Sequence, residues 1–287
     1  MKKLTTEDLF ENLSISEKEI FFVSDIEHFS LEIKKDLMNK IINNKFKLIV
    51  LIGDILSGFS TENSSYKIFQ QSYEAFEMFY DSSKIMKKYK NKNVDQWEVA
   101  RTYVGQEVSE RLSKTYSKEI KFFKEFINSC FKIKIPVILF SGNHDSLLSW
   151  SNLSNEREIP ILKEIHDLNG LKIPFDLEKI KIGKDLFLMG IHVNEDIIEE
   201  YKFYPIKEYI EKLGKNIETS DKIIFVSHIP GKSKFTKLGS NDIQNFKKRF
   251  KFKAHYHGHC RNFHGEYLEE GIPTKSVHFE ENEGVTK

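Results

Sequence analysis

The strongest constraint on this chain is a repeated pattern: short apolar runs that each end in side chains able to hold a metal ion. Ile20-Phe21-Phe22-Val23 runs into Ser24-Asp25-Ile26-Glu27-His28, and Leu48-Ile49-Val50-Leu51-Ile52 runs into Gly53-Asp54. Ile135-Pro136-Val137-Ile138-Leu139 leads to Phe140-Ser141-Gly142-Asn143-His144-Asp145. Ile223-Ile224-Phe225-Val226 leads to Ser227-His228-Ile229-Pro230, and Phe252 to His257 leads to Gly258-His259-Cys260-Arg261. Runs of this length and composition read as buried strands. Between the first two lies an amphipathic helix with Leu31, Leu37, Met38, Ile41 and Ile42 roughly on one face, which makes a β-α-β unit. Near-continuous apolar strands imply a sheet covered on both faces, so the fold class is α/β.

Taken singly, each of these polar residues is ordinary. An Asp after a strand is usually a turn former or a helix cap, and a lone His is more often a surface or hydrogen-bonded residue than a ligand. Jointly, Asp25, Asp54, Asn143, His228 and His259 are ligand types only, placed where parallel strands would bring them to one edge. Carboxylate, amide and imidazole donors suit a divalent ion such as Mn, Fe or Zn.

The charges nearly cancel, 44 basic against 43 acidic, so global charge favours no particular partner. Cys130 and Cys260 form neither a disulfide framework nor a Cys-x-x-Cys site, which makes a reducing cytoplasmic setting the default. No segment has the apolar length to span a bilayer, and Met1 to Asp8 lacks a signal core. The absence of repeats and low-complexity linkers predicts a single domain over 1–287.

Within it, residues 59–115 read as a helical insertion over the strand edge, followed by a crossover helix from about Tyr116 to Phe131. A hairpin is predicted around Gly183-Lys184-Asp185, an acidic helix over about Asn194 to Gly214, and a helix over about Asn241 to Phe250. Ser276-Val277-His278-Phe279 reads as a last strand. The Lys-rich span Lys232 to Lys253 would steer phosphate-rich substrate or nucleic acid if it faced the site, although a solvated helix face accounts for it more simply. His192 reads as a loop residue and Cys260 as a small packed one.

Together these motifs resemble the calcineurin-like metallophosphoesterases, whose pattern is Asp-x-His, Gly-Asp, Gly-Asn-His-Asp/Glu, a later His, and Gly-His-x-His. The resemblance runs from about Ile20 to Asn262, and Ser227-His228-Ile229-Pro230 with Gly239-Ser240 adds to it. It implies a two-sheet β-sandwich flanked by helices (αββα) and a site for two divalent ions, Mn, Fe or Zn. The activity it implies is attack of a metal-bound hydroxide on a phosphate ester, as a phosphatase or phosphodiesterase. Asp54 would bridge both ions, and Asn143, His228 and His259 would complete the second. His144 would act on the leaving-group oxygen or hold the phosphate, with Asp145 orienting it.

The first ion's shell departs from the pattern: beside Asp25, Glu27 stands for one His and Arg261 for another. Glu27 can ligate through oxygen, whereas a guanidinium cannot ligate a cation. Three readings follow. Asp25, Glu27 and Asp54 hold the ion while Arg261 grips substrate phosphate; or His257 or His28 supplies an imidazole from a shifted register; or the first position is weak. The last would leave a slow enzyme or a non-catalytic interaction module. A nuclease is a narrower reading, supported by the basic span alone.

Overall fold

A computed structural model describes residues 4–11, 13–26, 29–56, 117–142, 145, 165–192, 222–237, 239–260 and 265–279. Within them the chain builds two sheets. The first holds β1 (Ile20–Val23), β2 (Leu48–Ile52), β3 (Val137–Phe140) and β4 (Leu171–Lys172), all parallel and in that order. The second contains β5 (Ile180–Lys181), β6 (Leu186–Ile191), β7 (Lys222–Ser227), β8 (Ala254–His257), β9 (Gly265–Glu269) and β10 (Ile272–Ser276). Its order is β5-β6-β7-β8-β10-β9; the β6-β7-β8-β10 centre is parallel and the outer pairs are antiparallel.

Alternation along the strands dictates the layers. Leu48, Val50 and Ile52 of β2, with Ile138 and Phe140 of β3, meet Leu188, Ile224, Val226 and Ala254 of the other sheet. The opposite face of β2, Ile49 and Leu51, packs against two helices, α2 (Leu31–Asn43) and α3 (Ser117–Lys132), a polar α1 (Thr6–Glu11) having come before β1. Ile33, Leu37 and Ile41 line the buried stripe of α2, whose first turn is capped by Ser30 accepting from Ile33 N–H at 3.2 Å. On the far side of the second sheet, Phe225 packs with Ile243 and Phe246 of α4 (Asn241–Arg249), which Ser240 caps. The result is helices, sheet, sheet, helix: the αββα arrangement expected from the sequence.

Most predicted elements fall where expected within a residue or two. The tail differs: β10 begins and ends earlier than the predicted strand. Pro273 and Lys275 interrupt its apolar character, so periodicity does not reveal it. Beyond β10 the tail still bonds as if extended. Val277 N–H donates to His257 O and Phe279 N–H to Ser24 O, both at 2.8 Å, so the tail passes from the second sheet to the end of β1. The predicted insertion over 59–115 and the acidic helix over 194–214 lie outside the described residues. Among the described residues no helix is long and apolar enough to cross a membrane.

At Gly190 in β6 the backbone lies close against Phe140 of the other sheet. A methyl group there would lie 2.4 Å from Phe140 Cε1 and 2.5 Å from Val226 Cγ2. Gly190→Ala is therefore expected to cost about 1–3 kcal/mol by overpacking, read as a lowered denaturation midpoint in urea. A midpoint equal to that of the parent chain would show that the sheets can part without cost.

Candidate metal centre

The C-terminal ends of β1, β2 and β3 and those of β7, β8 and β10 converge. Asp25, Asp54 and His259 each lie two residues past a strand, and all three adopt left-handed backbone, with φ of 57°, 55° and 64°. That conformation costs a non-glycine residue roughly 1 kcal/mol or more, and strain of this kind gathers at functional sites. Here it turns each side chain off its strand axis. Two glycines allow the close approach. A Cβ on Gly142 would sit 2.3 Å from Asp54 Oδ1, and one on Gly258 would sit 1.9 Å from Ser24 Oγ and 2.4 Å from Asp25 Oδ2.

Asp54, His228 and His259 bring one ligand atom each within 4.8 Å of one another. The protonation of His228 can be deduced. Its Nδ1 lies 2.8 Å from the Ile52 carbonyl, which only accepts, so Nδ1 carries the proton. In the neutral ring Nε2 then presents a lone pair, and it faces Asp54 Oδ2 at 3.0 Å without hydrogen-bond alignment. The ring is fully buried. Two such atoms at this distance require a proton or a metal cation between them. Burial opposes charging His228, but the Asp54 carboxylate outweighs it and raises the imidazole to about 10. A divalent ion would satisfy the same demand, with the Ile52 bond orienting the ligating ring. The donor set fits a divalent metal.

Asp25 occupies the other half. Its Oδ2 accepts from Ser24 Oγ at 2.5 Å, from His259 N–H at 3.1 Å and from His278 Nδ1 at 3.0 Å. Burial alone would raise its pKa, but the His278 bond and the charge of the two imidazoles hold Asp25 well below the usual carboxylate range. His278 is the residue the sequence reading overlooked. It lies two residues past β10, as Asp25 lies past β1, so the strand-end rule would have found it had the strand itself been legible. His257 is engaged elsewhere: Nδ1 donates to Gly258 O at 2.9 Å and Nε2 meets Tyr267 Oη at 3.0 Å. Burial drives that ring down to about 3, which keeps it neutral in the core. Glu27, His28, Asn143, His144 and Arg261 lie outside the described residues.

Around these ligands runs a supporting layer. Asp145 Oδ1 accepts from Ile55 N–H at 2.7 Å and Leu56 N–H at 2.9 Å, while Oδ2 accepts from Gly142 N–H at 2.9 Å. One buried carboxylate thus ties the loop after β2 to the loop after β3. Burial and the nearby Asp54 raise it to about 6. His192, which the sequence presented as a loop residue, accepts from Ser141 N–H on Nδ1 at 2.9 Å and donates from Nε2 to Pro174 O at 2.8 Å. Glu119 Oε1, at the start of α3, accepts from Phe29 N–H at 2.9 Å and so anchors the loop that follows Asp25. Cys260 is buried, as expected of a packed residue.

The basic span is less free than a solvated face requires. Lys247 is buried in a contact with Glu269, with Thr274 Oγ1 at 3.0 Å; Lys253 pairs with Glu17, and Lys248 lies 3.5 Å from Glu270. Lys247 corrects the sequence expectation: α4 is anchored to the sheet by a cation that amphipathic counting had placed outside.

Burial raises Glu119 to about 8, above the roughly 4.3 of an exposed glutamate, so folding favours its neutral form. That contribution is complete below the unfolded value and lost as pH rises through about 8. Glu119→Gln in metal-free protein is therefore expected to be near neutral at pH 4 and to stabilise by several kcal/mol, on the order of 3–5, at pH 9. Urea denaturation at the two pH values checks this, and an equal effect at both would contradict it.

A search of curated proteins finds no match. Among solved structures the chain is similar to TT1561 of Thermus thermophilus, at 11% identity and a TM-score of 0.41 over 90% of this chain and 87% of that one. The family model for calcineurin-like phosphoesterases matches residues 18–260, which takes in every strand end from Asp25 to His259. With most of its length covered by that match and its strand ends converging as described, the chain belongs to the calcineurin-like phosphoesterase family.

Proposed function

We propose that this protein hydrolyses phosphate monoesters or diesters at a centre of two divalent cations, Mn, Fe or Zn. The observation that carries the reading is the buried approach of His228 Nε2 to Asp54 Oδ2 at 3.0 Å, with His259 beside them. Asp54, Asn143, His228 and His259 would hold one ion, and Asp25, Glu27 and Asp54 the other. Bound there, the ions would supply charge neutralisation for the phosphate and activation of water near neutral pH.

The remaining work falls to the chain. Asp145, through its three backbone bonds, keeps the Gly142 loop in register with the loop after Asp54. His144, next in sequence to Asn143, would deliver a proton to the leaving-group oxygen. Arg261, two residues past His259, grips a phosphate oxygen pair with its fork of donors. The strained backbone at Asp25, Asp54 and His259 keeps the ligands pre-aimed, so little reorganisation accompanies binding.

Aryl phosphate mono- and diesters with added Mn are the test substrates. Asp54→Ala should lower the rate about a thousandfold or more, since several kcal/mol of electrostatic stabilisation are lost with the ions. His144→Ala should lower the turnover rate more than it raises KM. Chelation should abolish activity and Mn should restore it. Turnover that survives both chelation and Asp54→Ala would overturn the reading.

A further inference from the structure

We propose that His278 is the imidazole ligand of the first metal position, completing beside Asp25 a shell whose two expected histidines are Glu27 and Arg261 here. The inference rests on the two-cation reading above. Its first support is placement. His278 comes from the tail beyond β10, which crosses from the second sheet to the first: Val277 N–H bonds His257 O and Phe279 N–H bonds Ser24 O. The side chain between those two bonds lies against Asp25.

Its second support is geometry. His278 Nδ1 lies 3.0 Å from Asp25 Oδ2, the same separation as His228 Nε2 from Asp54 Oδ2 in the other half. Ligand bonds of about 2.1 Å at near right angles put two donors of one cation about 3 Å apart. Two carboxylate–imidazole pairs of equal spacing therefore lie at the strand ends, one within the Asp54–His228–His259 group and the other beside it. In the absence of an ion, a proton shared between the two atoms of a pair gives the same close approach.

The third support is the far side of the ring. His278 Nε2 meets Ser276 Oγ at 2.8 Å, the outer contact by which a ligating histidine is commonly oriented. This leaves Nδ1 as the nitrogen turned toward the metal position. The competing imidazole, His257, has both nitrogens engaged by Gly258 O and Tyr267 Oη. His278 is also largely shielded, with 8% of its side chain exposed, so a cation held there would be protected from bulk water.

The alternative, that His278 only positions Asp25 through a hydrogen bond, would also change metal affinity, so the test reads the ligand atom directly. The full chain, labelled with 15N-histidine, is loaded with 113Cd and examined by cadmium NMR. The expected wild-type spectrum has two cadmium resonances, both split by one-bond coupling to nitrogen. His278→Ala should remove a nitrogen coupling from one resonance, or remove that resonance, and leave the other as it was. His278→Asn, which keeps a donor to Asp25, should lose the same coupling. Unchanged couplings in both variants would overturn the proposal, and so would a wild-type resonance with no nitrogen coupling or a single resonance in all. The wild-type spectrum decides the last two outcomes even if a variant fails to fold. Retention of no cadmium by the wild type would instead remove the two-cation reading itself.

Discussion

Of the hydrogen bonds that join the two sheets at the candidate site, one sets a ring's orientation: His228 Nδ1–H to the carbonyl of Ile52. His228 belongs to the end of β7 and Ile52 to the end of β2, so the bond crosses from sheet to sheet. It fixes which ring nitrogen carries the proton, and the other nitrogen is thereby aimed at Asp54. The bond is available because the inner faces pack together, Val50, Ile52 and Phe140 with Leu188, Ile224 and Val226 in one buried cluster. Core packing and ligand orientation are here one requirement. A shift of the sheets by half a strand width would leave the core apolar and the site dismantled.

The centre combines strain with support. Three residues with positive φ sit in one small volume, each made tolerable by what surrounds it. Asp25 gains Ser24 Oγ and His259 N–H; Asp54 is flanked by the loop that Asp145 ties down. Small residues, Gly142 and Gly258, keep the backbones close enough for side chains from different strands to meet. The supporting residues are mostly distant in sequence from those they support: Glu119 lies 90 residues from Phe29, and His192 51 from Ser141.

That distance explains what could be read beforehand. The ends of β1, β2 and β7 were legible because a ligand-capable residue follows a run of Ile, Val, Leu or Phe within two positions, where periodicity and chemistry reinforce each other, and His259 was legible from the Gly-His motif. The αββα layering followed from the resemblance those residues carry. Two edge strands were not legible: β4 is two residues long and β9 is Gly-Glu-Tyr-Leu-Glu, so their existence depends on neighbours rather than on their own composition. β10 hid behind Pro273 and Lys275, and with it went His278. Lys247 was misplaced because helical counting assigns a lysine to solvent, whereas Glu269 across the layer brings it inside.

The crossing of the tail from β8 to β1 also bears on how the chain comes into being. Asp25 and His278 are 253 residues apart, among the longest closures in the fold. At roughly 5–20 residues per second, a ribosome needs tens of seconds to emit the second partner after the first. Through that interval the β1 end has its carboxylate but neither the imidazole nor the Phe279 bond to Ser24. Assembly of this edge therefore belongs to the last stage of maturation, after the strands on which it rests have already been made.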